Sequence, residues 1–366
     1  MTIRAVAGFI TISGLAAFLF VLFSVQTGPK VKFAVDSRCE SPGILDIGPF
    51  PGENVEVRGV SNDGSMIVGN YHDRNFGSNH IFRWTRTSGY EVIGKIRAES
   101  AYASAMAGPD NDIFGQYRAD DGNWRLFRWN DVDGLKDIVS APGLAISVSA
   151  VSDNGEVIAG ELTDANEVRR AFRWSDFDGL QILPAPNDVG ALKPTLVSRD
   201  GKVIVGRWEG SDDDARPFRW TVHDGTRLIP EIAGSASRIN GISANGRVMV
   251  ASVRGRHGDP HLLRWTAEDG YAEIPLPQNV IGASISSLST DGELFVGNFT
   301  DSEKRGHVFL WTKDSGLQDF RDFGGRTFAH AELISGDRST MVGDFNDASK
   351  SRHLFLCRLR QFNALK

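Results

Sequence analysis

From Ile146 to Val151 the chain alternates apolar and polar positions, turns at Ser152-Asp153-Asn154-Gly155, and resumes as a β-rich run from Val157 to Leu162. A polar loop follows, then Arg170-Ala171-Phe172-Arg173-Trp174, a turn at Asp176 to Gly179, and a short last run from Leu180 to Leu183. Period-two runs bounded by glycine-bearing polar clusters predict four short antiparallel strands. No stretch has the 3.6-residue apolar period of a helix, so a helical array is excluded.

This unit recurs seven times. Its clearest mark is an aromatic pair on the third strand: Phe82 and Trp84, Phe127 and Trp129, Phe172 and Trp174, Phe218 and Trp220, Leu263 and Trp265, Phe309 and Trp311, and, degenerate, Phe355 and Cys357. Successive tryptophan sites lie 45, 45, 46, 45, 46 and 46 residues apart, a period that belongs to propeller blades. The turn after the first strand reads Ser61-Asn62-Asp63-Gly64, Ser198-Arg199-Asp200-Gly201, Ser243-Ala244-Asn245-Gly246 and Ser289-Thr290-Asp291-Gly292 in further copies. Asp-Gly and Asn-Gly supply the positive φ of a two-residue hairpin turn. Copy two (Ala107 to Asp110) and copy seven (Ser335-Gly336-Asp337-Arg338) depart from this pattern, which predicts another turn type there.

Copies one to six carry a glycine five residues after the tryptophan and then a fourth strand, and copy seven lacks both. Gly43-Ile44-Leu45-Asp46-Ile47 resembles the fourth strand Gly134-Leu135-Lys136-Asp137-Ile138 and supplies the missing piece. The expected fold is therefore all-β: a seven-bladed β-propeller over residues 43–362, closed by an N-terminal strand, which removes open sheet edges. Residues 1–29 form one hydrophobic helix ahead of it, 30–42 a linker and 363–366 a tail. On this alignment Cys39 directly follows the seventh tryptophan site, which is Cys357, so the two cysteines are expected as a disulfide across the seam, with two unpaired buried thiols as the alternative.

Ala5 to Pro29 carries no charged residue, and about 21 residues at ~1.5 Å each span a bilayer core. This segment reads as an export signal or an uncleaved membrane anchor, placing the remainder in the periplasm or outside the cell. Arg4 on one side and Lys30 and Lys32 on the other leave the orientation open. A net charge of −6 with both signs interspersed offers no field for nucleic acid.

At Arg170-Ala171-Phe172-Arg173-Trp174 and Ser198-Arg199-Asp200-Gly201-Lys202-Val203-Ile204-Val205-Gly206 the chain resembles the HAF family of probable extracellular repeats. The family triplet appears here as His80-Ile81-Phe82, His307-Val308-Phe309 and His353-Leu354-Phe355, with arginine for histidine in copies two to four. The resemblance covers about 320 residues and implies an exported bacterial repeat protein, with no activity or site residue to carry over.

Four positions before each tryptophan site the residue is basic: His80, Arg125, Arg170, Arg216, His261, His307 and His353. On a third strand these side chains diverge round the ring, so hydrogen bonds inside each blade are expected rather than one shared ion. Arg83, Arg128, Arg173, Arg219 and Arg264, on the opposite face, are expected over aromatics of the next blade. His257-Gly258-Asp259-Pro260-His261 is a poor metal motif without a third ligand. No nucleophile elbow, zincin, dinucleotide or phosphate motif occurs, so no cofactor, metal or catalytic residue is assigned. Trp124, off the repeat template, is a candidate ligand contact. The interblade loops vary in content, as binding loops on a rigid scaffold do, and Arg97, Glu99, Asp188, Lys193, Glu231 and Arg326 are the contacts expected there. The functional expectation is a non-enzymatic module binding a protein, peptide or glycan of the cell envelope. The alternative is a hydrolase or lyase acting on a sugar, lactone or ester in the central funnel.

Overall fold

The computed structural model describes residues 33–39, 44–49, 53–73, 77–93, 101–140, 143–186, 190–210, 215–229, 236–255, 257–320, 327–347 and 351–363. The apolar segment 5–25 lies outside them. Among the described residues no helix is long and apolar enough to cross a membrane.

Seven antiparallel sheets make a seven-bladed propeller. Blade 3 is typical, with strands Ala145–Val151, Val157–Thr163, Arg169–Ser175 and Gly179–Ile182 lying side by side in chain order. The first strand of each blade is innermost: Glu53–Val60, Ala101–Ala107, Ala145–Val151, Ala191–Val197, Ala236–Ile242, Val280–Leu288 and Thr327–Ile334. Neighbouring innermost strands touch all the way round, blade 7 against blade 1 included.

In blade 7 the third strand is long, Arg352–Asn363. Leu45–Pro49 pairs antiparallel with its first half, Leu45 opposite Leu356 and Asp46 opposite Phe355. Phe33–Cys39 pairs with its second half, Cys39 opposite Leu359. The sequence reading put residues 33–39 in a linker. The strand is irregular, its register shifting between Val35, opposite Gln361, and Cys39.

The first-strand loops hold four residues rather than two. In blade 3 the Ser152 N–H donates to the Val157 carbonyl (2.8 Å), and the buried Ser152 hydroxyl accepts the Val157 N–H (2.9 Å) while donating to Asn154 Oδ1 (2.6 Å). Copy seven is built the same way, against expectation: Ser335 bonds Asp337 and the Thr340 N–H, and Arg338 takes the glycine's place at φ 67°. The serine and aspartate bonds hold the loop firmly enough to impose that backbone on a non-glycine residue. Copy two does differ, with Ala107 paired to Asp112 across a loop of the same length but with positive φ at Gly108 (83°) and Asn111 (55°).

Each blade interior centres on its third-strand phenylalanine, and Phe82, Phe127, Phe172, Phe218, Phe309 and Phe355 are all buried. A second-strand glycine faces each ring: Gly69, Gly115, Gly160, Gly206, Gly297 and Gly343. A Cβ there would stand 2.0–2.3 Å from a backbone carbonyl of the innermost strand and 2.5–2.8 Å from the ring. Blade 5 alone has Ala251 opposite Leu263, and a void of about 10 Å³ remains between them, Met249 and Trp265. The glycine and the aromatic are thus one packing unit, and where the Cβ returns the ring is gone.

In four blades the residue after this second-strand position reaches across to the next blade. Asn70 Nδ2 donates to the Ala103 carbonyl (2.9 Å) and its Oδ1 accepts the Ala103 N–H (2.7 Å). Asn298 grips Ala331 identically, at 3.0 and 2.8 Å. Gln116 accepts the Val148 N–H (2.7 Å) and Ser252 the Ile285 N–H (2.9 Å). In blade 7 Arg352 takes over, bonding Asp344 at 2.8 Å and the Val55 carbonyl of blade 1 at 2.6 Å. The blade 3 member, Glu161, meets Pro194 at the same 33-residue offset. Proline has no N–H to give. Glu161 Oε1 stays buried without a partner and burial pushes its carboxyl up, with Lys193 opposing.

Candidate functional site

Every innermost strand carries a β-bulge at one height, and the extra residue is polar each time: Arg58, Ser104, Ser149, Thr195, Asn240, Ser286 and Glu332. Bulges bend a strand and re-aim a side chain. Asn240 Oδ1 turns back to accept the Ser252 N–H (2.9 Å) and Ser286 to accept Asn298 Nδ2 (3.0 Å). Arg58 pairs with Glu56. Burial and the neighbouring Asp344 push the Glu332 carboxyl up, to about 7, against the pull of Arg352.

Beyond the bulges the strands run into the serine loops, whose tips ring the axis. Tip backbones are tied to one another: Gly108 N–H to Asp153 O (2.8 Å), Arg199 N–H to Ala244 O (3.0 Å), Ala244 N–H to Thr290 O (2.7 Å) and Asp337 N–H to Asn62 O (3.2 Å). Such cross-blade bonds hold the tips in a fixed ring. Within it lies a cavity of about 680 Å³, inside the range of ligand pockets. Val60, Met106, Ile242, Leu288, Leu333 and Ile334, at the strand ends, give its wall an apolar part beside Arg58 and Ser287. Asn62, Asp153, Arg199 and Thr290 give its rim polar groups, while Gly108 and Gly336 keep it open.

Among the described residues no hydrogen bond or ion pair engages the Asp153 carboxylate or the Arg199 guanidinium. Both are exposed to the cavity, yet protein surrounds them, and this burial pushes the Asp153 carboxyl up while the Arg199 charge opposes the rise. They sit on adjacent blades, and among the described residues neither has a hydrogen-bond or ion-pair partner.

Of the sequence-named contacts, Lys193 and Trp124 fall on described residues. Arg97, Glu99, Asp188, Glu231 and Arg326 are outside the described residues. Lys193 is on the innermost strand of blade 4 and pairs with Glu209 at 2.8 Å. Trp124 is half-buried, packed on the core between blades 2 and 3, its ring 6.3 Å from Tyr102. The basic residues before each tryptophan are held within their blades. His307 lies between Asp301 (3.2 Å) and Asp319 (3.4 Å), stacked 4.4 Å from Phe299, and His353 between Asp347 (3.3 Å) and Asp46 (3.0 Å). His261 has one ring nitrogen on Glu273 (2.6 Å) and the other on Asp259 (2.5 Å), which raise its pKa and leave neither nitrogen for a metal. Arg83 lies over Trp129 and Arg264 over Trp311 of the next blade, whereas Arg128 lies over Phe114 of its own. Among the described residues no three His, Cys, Asp or Glu side chains come together as metal ligands.

The rim residues were missed because the serine loops read as short and uniform. The signal was the second loop position, the one that varies: Asn62, Asp153, Arg199, Ala244, Thr290 and Gly336.

No protein-family model matches the chain, and no curated protein matches it. Solved structures do. An oligogalacturonate lyase from Vibrio parahaemolyticus superposes with a TM-score of 0.61 at 10% identity, over 89% of this chain and 96% of that one. An oligogalacturonate lyase in complex with manganese gives 0.60 at 14% identity, over 90% and 96%. At these identities the likeness is one of fold, and the fold is the propeller.

Proposed function

We propose that the chain is an exported binding module of the bacterial cell envelope that holds a ligand in the axial cavity of its propeller without transforming it. The observation that carries this reading is the pairing of a cavity of about 680 Å³ with rim charges that no group among the described residues satisfies, mounted on tips that cannot relax toward each other. A polar group held unpaired in place is an interaction kept for something else. The repeats are of the HAF type, and residues 5–25 direct export or tether the propeller. Leu45–Pro49 is the fourth strand of blade 7, supported by its pairing with Arg352–Asn363 and by Asp46 bonding His353 as Asp319 bonds His307.

Cys39 and Cys357 form the disulfide that fastens this seam. An unfolded, unreduced sample is expected to take up no thiol label and a reduced one two. Two labels in both samples end the proposal.

Lyase chemistry belongs to the two structural neighbours by name. The described residues here bring no three His, Cys, Asp or Glu side chains together as manganese ligands. The test is titration of the full chain with envelope peptides and oligosaccharides, oligogalacturonate included, read by amide NMR shifts and by the mass of the recovered ligand. The expected result is shifts at Asn62, Gly108 and Thr290 with the ligand unchanged. A cleaved or eliminated product would instead establish the enzyme, and shifts confined to the opposite mouth would move the site there.

A further inference from the structure

Of the described charged groups lining the cavity, Arg58 is paired with Glu56 and Asp63 accepts from Ser61 and Ser65, which leaves Asp153 and Arg199. Asp153 ends the tip of blade 3 and Arg199 that of blade 4, neighbours in the ring that no ion pair joins although each lies in the other's field. Had the two charges served the fold, they would have closed on one another, as Arg125 closes on Asp121 at 2.8 Å and Arg305 on Asp301 at 2.7 Å elsewhere in the chain. They are held apart because the tip backbones are already committed: Asp153 O accepts from Gly108 and the Arg199 N–H donates to Ala244, so each tip is drawn to its other neighbour. Along the axis from them lie the apolar strand ends Val60, Ile242, Leu288 and Leu333. Resting on the reading of the axial cavity as the binding site, we infer that its ligand is a small zwitterion with an apolar body, the class of free α-amino acids and short unblocked peptides.

The assignment follows from matching each surface to its complement. A guanidinium receives a carboxylate through two parallel N–H donors. A carboxylate accepts from an ammonium. The apolar part of the wall takes aliphatic side chains, at about 25 cal/mol per Å² removed from water. A uniformly anionic sugar would satisfy Arg199 and be repelled by Asp153, and a neutral glycan would leave both charges desolvated without a counter-charge. The Asn62 amide and the Thr290 hydroxyl, near each other across Gly336, remain for the peptide groups between the ends.

The test is calorimetric titration of the full chain with leucine, Leu-Leu, Leu-Leu-Leu, N-acetyl-Leu-Leu and Leu-Leu-amide, with thermal midpoints confirming that every variant is folded. Unblocked ligand is expected to bind, and each blocking group to weaken binding about tenfold or more, the worth of a hydrogen bond to a charged group. Asp153→Asn is expected to abolish the discrimination against N-acetyl-Leu-Leu while keeping that against the amide, and Arg199→Gln to do the reverse. The length series separates a free amino acid from a peptide as the source. Blocked and free forms binding alike, or variants that keep both discriminations, overturn the inference. A glycan or protein ligand that shifts Asn62 and Thr290 yet ignores both variants overturns it while leaving the axial site standing. No ligand at the axis at all overturns the two together.

Discussion

Gly297→Ala is expected to lower the unfolding free energy by about 3 kcal/mol, the upper end of overpacking costs, because the added Cβ meets two neighbours that cannot both give way. One is the Ser284 carbonyl oxygen at 2.3 Å, the other the Phe309 ring at 2.5 Å. The carbonyl belongs to the innermost strand, fixed on one side by the ladder and on the other by the next blade, and the ring is fully buried. Blade 5 shows what accommodates a methyl there, since Ala251 coexists with the smaller Leu263. Gly297→Ala with Phe309→Leu is therefore expected to be more stable than Gly297→Ala alone, recovering about half the loss because the carbonyl contact persists. Urea denaturation followed by tryptophan fluorescence measures both. Strictly additive losses in the double variant would show that ring and glycine are not one packing unit.

The same pair explains what was legible in the sequence. A propeller repeats its blade, so a residue type required by backbone space or turn geometry recurs at a fixed interval and stands out, as the glycines and aromatics do. Blade number and strand order follow from that interval. What did not stand out were functions shared by unlike residues. Asn70, Gln116, Ser252 and Asn298 do one job with three side-chain types, and their partners lie 32 or 33 residues away on another blade. The bulge residues are unified only by being polar. The rim of the cavity was hidden for the opposite reason, since the conserved serine and aspartate of each loop hold it in shape while the residue between them, free to vary, faces the axis. In a ring scaffold regularity marks what the fold needs, and the departures mark what the site uses.

The second large effect is expected where blades meet. Asn70→Ala removes both bonds to Ala103 and leaves that residue's N–H and carbonyl unsatisfied at a residue only 2% exposed. Each orphaned backbone group costs about 1–3 kcal/mol, so a loss of about 2–6 kcal/mol is expected. Ser252→Ala breaks a single bond, from the Ile285 N–H, and is expected to cost about half as much. Asn70→Asp discriminates further: it sets a carboxylate against the Ala103 carbonyl in a buried site, so its loss at neutral pH should be at least that of Asn70→Ala and should shrink as pH falls and the carboxyl gains a proton to donate. Hydrogen exchange provides the local readout. In Asn70→Ala the Ala103 amide should lose protection ahead of its blade, whereas in Ser252→Ala it should not change. Equal losses in all three variants, or an unaltered Ala103 amide, would mean that blades 1 and 2 are held by apolar packing alone. The Glu161 and Pro194 seam gives the natural contrast, because there the clamp has already lost its donor, and its blades stay joined through Ala159, Ala171 and Leu192 and the pairing of Arg169 with Glu209. A seam so bonded should tolerate Glu161→Gln with little loss, or a gain, since the substitution removes a buried charge that finds no backbone partner.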